Sequence, residues 1–270
     1  MKTRDHNDED RDCKMKEYEG ILFKYLDAQG GLMMLQNSNL QFTNASRLTD
    51  PFDNHPRLTD FSEEPDESMM SLNQVSIMSL ESYRYDSLRE KVWLCCLSRV
   101  NDSLLMWKSY SQYAGVCIGL DMEKAESYLS SIICADYIGA MPMEVEYEDQ
   151  IKRPEYFSNA LDYFAYLLST KAKAWEYEQE VRLALLEPIS SYARMTLPYH
   201  ENGIIDMEDV KAFPKLGGEC FESLYLGLKI SPEDKVLLIK AARELNPDIK
   251  IFQMTIDPDA FRLKETLLSY

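Results

Sequence analysis

Residues 174–183 read AWEYEQEVRL, with Glu178 and Glu180 one residue apart, Arg182 two further on, and Trp175 just upstream. Residues two apart on a strand project to the same side, with side chains ~7 Å apart, so the three would form one row able to face a cleft. A carboxylate opposite an arginine stays ionised near neutral pH. Such a group suits the stabilisation of a developing cation or the orientation of a hydroxyl. The structural alternative is that Arg182 pairs with a neighbouring carboxylate to pin strand to helix while Trp175 fills the core.

Other residue sets offer less. Trp107 and Tyr110, three apart with Met106 beside them, are either a core stripe of a helix or a wall for a stacked base or nicotinamide. Asp50 and Asp53 flank Pro51-Phe52 in a loop, where they cap a turn or touch a ligand. The three histidines, His6 in the N-terminal tail and His55 and His200 in loops, supply neither a metal cage nor a Ser-His-Asp relay. The chain has no Gly-x-Gly-x-x-Gly or Walker loop. No metal is predicted, although Asp50, Asp53, Glu178 and Glu180 leave an oxygen-only Mg²⁺ site open.

The elements that would position these residues follow from pattern. GILFKYLD reads as a strand, and GGLMMLQNSNLQFTNAS as a helical turn and then a strand at 40–43. RLTDPFDNHP is a loop, and residues 57–90 a loop and a loosely amphipathic helical region. VWLCCLS is a buried strand, Asn101 or Asp102 a cap, SLLMWKSYSQYA a helix and VCIGLD a second strand. Residues 122–133 look helical, and MEVEYED alternates as a half-exposed strand with its carboxylates in solvent. Leu161, Phe164, Leu168, Lys171 and Trp175 recur at helical spacing, predicting a helix over 158–175 before the strand QEVRLALLE. ESLYLGLKIS, PEDKVLLIKAARELNPD and IKIFQMTID make a β-α-β ending.

Length 270 and 45% hydrophobic residues fit a globular chain with a real core. A net charge of −17 argues against extensive nucleic-acid contact. The six cysteines form no Cys-x-x-Cys pair and read as reduced. Residues 1–17 are too charged to pack and read as a mobile tail, ahead of one domain over 18–270. No apolar leader or ~20-residue apolar span is present, which predicts a cytoplasmic protein without a membrane contact.

The blocks FKY, LQFTNASRLTDPFD, CLSRVNDSLLMWKSYSQYAGVCIGLD, KAKAWEYEQEVRL and LYLGLKIS, spread over about residues 21–262, resemble those of the bacterial domain-of-unknown-function family 2971. Asp102 through Met106-Trp107 to Tyr110 and Gly115, and Trp175-x-x-Glu178-x-Glu180-x-Arg182, are the specific parts. Thr49 and Leu26 depart from the family pattern, which usually has Asn and often Arg there. The layout is also similar to the ADP-ribosyltransferase superfamily. That resemblance implies Lys24 or Tyr25 at the dinucleotide, Ser98 shaping the nicotinamide pocket, and Glu178 with Glu180 at the nicotinamide ribose.

The expected fold is α+β, with a central, largely antiparallel sheet flanked by helices. Two functions are expected from different classes. One is an NAD-consuming transferase or glycohydrolase with Glu180 essential, Glu178, Arg182 and Ser98 beside it, and Lys24, Tyr25, Trp107, Tyr110, Asp50 and Asp53 toward the nucleotide. The other is a non-catalytic protein whose aromatic cleft and acidic surface recognise a partner, in a defence or stress system.

Overall fold

The computed structural model describes residues 20–53, 92–131, 141–152, 160–186 and 211–269. The tail at 1–17 and the helical region at 57–90 lie outside the described residues.

The first strand, β1 (Ile21–Leu26), leads into α1 (Ala28–Asn37). Asp27 starts that helix by accepting from the Gly30 N–H at 2.6 Å, and Ser38 ends it in the left-handed region. β2 (Phe42–Asn44) follows, a residue or two later than the pattern suggested, and α1 is a ten-residue helix rather than one turn.

β3 (Val92–Ser98) is buried along nearly its whole length. α2 (Leu104–Ser111) is capped by Ser103, whose hydroxyl takes the Met106 N–H, and not by Asn101 or Asp102. The serine sits at the residue where the chain turns helical, and a cap must occupy that residue. β4 (Val116–Asp121), α3 (Met122–Ser131), β5 (Met141–Glu144) and β6 (Glu146–Glu148) come next. Val145 divides the expected single strand, because its side chain is buried and its N–H bonds the Glu180 carbonyl.

The helix expected over 158–175 is α4 (Ala160–Ser169) only. Thr170–Ala172 is a strand, β7, parallel to β6, and Lys173–Glu178 is a 3₁₀ helix. Lys171 kept the helical period in sequence, but its ammonium is buried among carboxylates that a continuous helix would not reach. β8 (Glu180–Leu186), β9 (Lys211–Ala212) and β10 (Phe221–Leu226) precede α5 (Pro232–Leu245), β11 (Lys250–Ile256) and β12 (Leu263–Leu267). β10, α5 and β11 form the expected β-α-β unit, with its two strands parallel.

Among the described residues ten strands make one mixed sheet, β12-β11-β10-β4-β1-β3, with β2 and then β9 beyond β3 on one edge and β8 and then β5 on its other edge. Every pairing in it except β10 with β11 is antiparallel, and helices flank it. Leu35 of α1 and Leu238 and Ala242 of α5 pack with Ile118, Val181 and Leu183 in the main core. Trp107 of α2 packs with Tyr25, Cys117, Tyr225 and Met254 in a second. The fold is thus α+β, as expected. No helix among the described residues is long and apolar enough to cross a membrane.

One irregularity positions the site. β1 meets β3 only at Phe23 opposite Ser98, and β2 takes the same edge of β3 at Trp93 and Leu94. Between these contacts the sheet is split. The Cys96 carbonyl facing the split accepts from Lys24 Nζ at 2.8 Å, an ammonium standing in for a ladder hydrogen bond.

Candidate functional site

Glu178 and Glu180 do not share a strand. Glu178 ends the 3₁₀ helix, Gln179 turns the chain in the left-handed region at φ 42°, and Glu180 opens β8. The two carboxylates nevertheless converge, because Lys171 Nζ lies 2.5 Å from Glu178 Oε2 and 2.9 Å from Glu180 Oε2. Arg182, two along the strand from Glu180, does continue its row. Its Nε donates to Glu180 Oε1 at 2.9 Å, its Nη2 to Asp53 Oδ2 at 2.8 Å and its Nη1 to the Leu168 carbonyl at 2.8 Å.

These groups are dry: the side chains of Arg182, Glu178 and Glu180 are 0%, 2% and 4% exposed. Burial alone would raise the Glu180 pKa, but Arg182 and Lys171 outweigh it and hold the carboxyl well below the usual range. Burial likewise opposes the Lys171 charge, and Glu180 and Glu178 more than restore it. Asp53 moves the other way, because burial raises its pKa more than Arg182 lowers it. Glu180 is therefore a fixed negative charge and not a proton carrier.

Main-chain and hydroxyl contacts fix the rest. Tyr110 donates to Glu178 Oε1 at 2.8 Å, and Tyr147 accepts from the Glu180 N–H at 2.8 Å, with its phenol pushed up to about 12 by burial. Ser98 stands opposite Glu180 in the β3–β8 register and Cys96 opposite Arg182. The Ser98 hydroxyl donates to the Glu178 carbonyl at 2.7 Å and accepts from the Val100 N–H, so it ties the strand end to the 3₁₀ turn. Burial and then Glu180 push the Cys96 thiol up, which keeps it neutral.

A cleft of about 220 Å³ opens at the split in the sheet. Lys24 and Tyr25 of β1, Ser98 of β3, Tyr110 of α2, and Glu178 and Glu180 all border it. Four expected site residues do not: Trp107, Asp50 and Asp53, and Arg182, which reaches the cleft only through Glu180. Trp107 is fully buried, with its indole N–H on the Asn101 carbonyl and its ring edge-on to Tyr25, so it cannot stack on a ligand and instead supports the wall. Asp50 caps its own turn through the Phe52 N–H, and Asp53 lies behind the floor on Arg182. Trp175 is partly exposed rather than central in the core, and it covers Lys171, whose Nζ is 5.1 Å from the ring centroid.

Lys171, Cys96 and Gln41 were missed by sequence reasoning. A lysine in the apolar row Leu161, Phe164, Leu168, Trp175 was a usable signal for the first, whereas nothing in the sequence marks the other two. Asp53, Glu178 and Glu180 are paired with the protein cations Arg182 and Lys171. Among the described residues no group of three or more His, Cys, Asp or Glu is arranged to hold a metal ion.

No curated protein and no solved structure matches this chain. Residues 106–183, which carry Tyr110, Lys171, Glu178, Glu180 and Arg182, match the family described as Protein of unknown function (DUF2971), the family the sequence motifs resemble.

Proposed function

We propose that the chain is an enzyme that cleaves the bond between nicotinamide and ribose in NAD and passes the ADP-ribosyl group to an acceptor or to water. One observation carries the reading: β1, the end of β3 and the Glu178–Glu180 segment, far apart in sequence, border one cleft with two buried carboxylates on its floor. In this reaction the C1′–N1 bond breaks with its electron pair leaving on nicotinamide, and positive charge develops on the ribose. An acceptor then bonds to C1′ and releases its proton.

Glu180, kept ionised by Arg182 and Lys171, supplies fixed negative charge where that cation forms, without reorganisation. Glu178, with one oxygen on Tyr110 and the other on Lys171, orients a ribose hydroxyl. Ser98 and Tyr25 shape the wall. The cleft is smaller than the ~300–1,000 Å³ of pockets that enclose a drug-sized ligand, so it takes the nicotinamide–ribose end.

A second reading has its own support. Both oxygens of Glu180 are engaged by protein cations, as expected of a structural ion pair in a non-catalytic protein that binds or regulates a partner. Calorimetric titration with NAD and a nicotinamide-release assay on wild type and Glu180→Gln separate the two. We expect NAD binding to survive in the variant while release falls by roughly 10²–10³-fold, the usual cost of removing a preorganised charge. No binding at millimolar NAD and no release with protein or nucleic-acid acceptors would leave the second reading in place.

A further inference from the structure

Lys24 is the charged group of the cleft lining that the proposed reaction leaves unused. Its side chain is half-buried, and its ammonium donates to the Cys96 carbonyl at 2.8 Å and meets the Cys95 thiol. An ammonium has three donors, so at least one remains for the cleft. Burial opposes the charge, yet its neighbours, Glu180 among them, hold the Lys24 pKa above its usual value. A carbonyl and a thiol satisfy hydrogen bonds but supply no counter-charge, which a cation removed from water needs.

The acids of the floor are committed elsewhere. Glu178 has one oxygen on Tyr110 and the other on Lys171, and Glu180 has one on Arg182 and the other on Lys171. Lys171 and Arg182 also blunt the repulsion that bare carboxylates would exert on an anion at Lys24.

A second donor stands at the same place. β2 pairs with β3 through Thr43 opposite Leu94 and Asn44 opposite Trp93, and that register carried two residues back brings Gln41 to Cys96, whose carbonyl Lys24 holds. The Gln41 side chain borders the cleft and donates a long 3.3 Å hydrogen bond to Thr43, which it can exchange for a better acceptor. Phe23 and Tyr110 add aromatic wall beside it.

We infer that the split in the sheet is a binding subsite for an anionic oxygen group of a small ligand, a carboxylate or a phosphate, held by Lys24 with Gln41 as a neutral second donor. The anion supplies the counter-charge that the Cys96 carbonyl cannot, while that carbonyl keeps the ammonium in place. Binding there requires no bond to break, so the subsite stands apart from the NAD-cleaving reading.

Nicotinate and nicotinamide share a ring and differ by one charge. Calorimetry with these two and with inorganic phosphate, at fixed ionic strength, reads the subsite on wild type, Lys24→Met, Lys24→Arg and Gln41→Glu. In wild type at least one of the anions should bind roughly tenfold tighter than nicotinamide, the scale of one charge-assisted contact. Lys24→Met should remove that advantage and Lys24→Arg should keep it. Nicotinate as the tighter anion assigns a carboxylate, and phosphate as the tighter one assigns a phosphate group.

Gln41→Glu sets a carboxylate of the protein beside Lys24, so it should raise the unfolding midpoint and abolish anion binding, which keeps the test in force if Lys24→Met does not fold. The subsite is overturned if neither anion binds better than nicotinamide in wild type, or if the advantage is equal in Lys24→Met or Gln41→Glu. Nicotinamide release from NAD is a separate measurement, so the NAD-cleaving reading survives that result.

Discussion

At the scale of single residues, Arg182 is the hinge of the site. Its guanidinium spends its donors on Glu180, Asp53 and the Leu168 carbonyl in a place that water does not reach. Breaking a buried pair costs more than the pair is worth, because the remaining charges keep their desolvation penalty. Arg182→Leu should therefore lower stability by about 3–5 kcal/mol, read from urea or thermal unfolding. An unchanged midpoint would mean the cluster contributes nothing. Lys171→Met should cost less than Arg182→Leu, since Glu180 keeps its arginine, but it should separate the two glutamates and weaken whatever ligand the floor binds. Thermal unfolding with and without NAD reads both effects, and ligand-induced stabilisation equal to wild type would count against a shared role for the floor. The row Glu180–Arg182 was legible because a strand has period two. Glu178 was read onto the same strand in error, since nothing in Glu-Gln-Glu announces a left-handed residue between the acids. The burial of Trp107 was not legible either, because helical spacing cannot distinguish a core tryptophan from a stacking wall.

Elements bring the two acids together through a joint at Gln179, which sits at φ 42° and ψ 53° between the 3₁₀ helix and β8. Its N–H closes the turn on the Glu176 carbonyl, and its own carbonyl accepts from the Arg99 N–H. A β-branched residue resists this conformation and glycine does not. Gln179→Val should lose roughly 1–2 kcal/mol and Gln179→Gly should stay within about 1 kcal/mol of wild type, measured as denaturation midpoints. Equal midpoints for the two variants would rule out a left-handed joint. The long strands were legible from apolar runs, as with Val92–Ser98 and Glu180–Leu186. β12 escaped notice because Leu-Lys-Glu-Thr-Leu buries only its first residue and so shows no apolar face. The split beside β3, which makes the cleft, depends on how β1 and β2 share one edge, and that is a matter of pairing between distant segments rather than of local pattern.

For the molecule as a whole, the buried charges tie stability to pH with signs that can be worked out group by group. Glu180 has a folded pKa below its reference value of 4.5, so its contribution is present above 4.5 and is lost as pH falls through the folded value. Lys171 has a folded pKa above its reference of 10.5, so its contribution is present below 10.5 and is lost as pH rises beyond it. Asp53 opposes the acid limb: its folded pKa lies above 3.8, so protonation relieves a cost and softens the loss. The net charge of −17 also falls on acidification, which relaxes repulsion across the surface in wild type and variant alike. Comparing wild type with Glu180→Gln cancels that shared part. Below pH 4.5 the wild-type unfolding temperature should fall more steeply than that of the variant, and the two should run parallel between pH 6 and 9, where Glu180 and Lys171 both hold their charges. Parallel acid limbs would show that Glu180 has no special stake in the folded state, and the fixed charge proposed for catalysis would lose its physical basis.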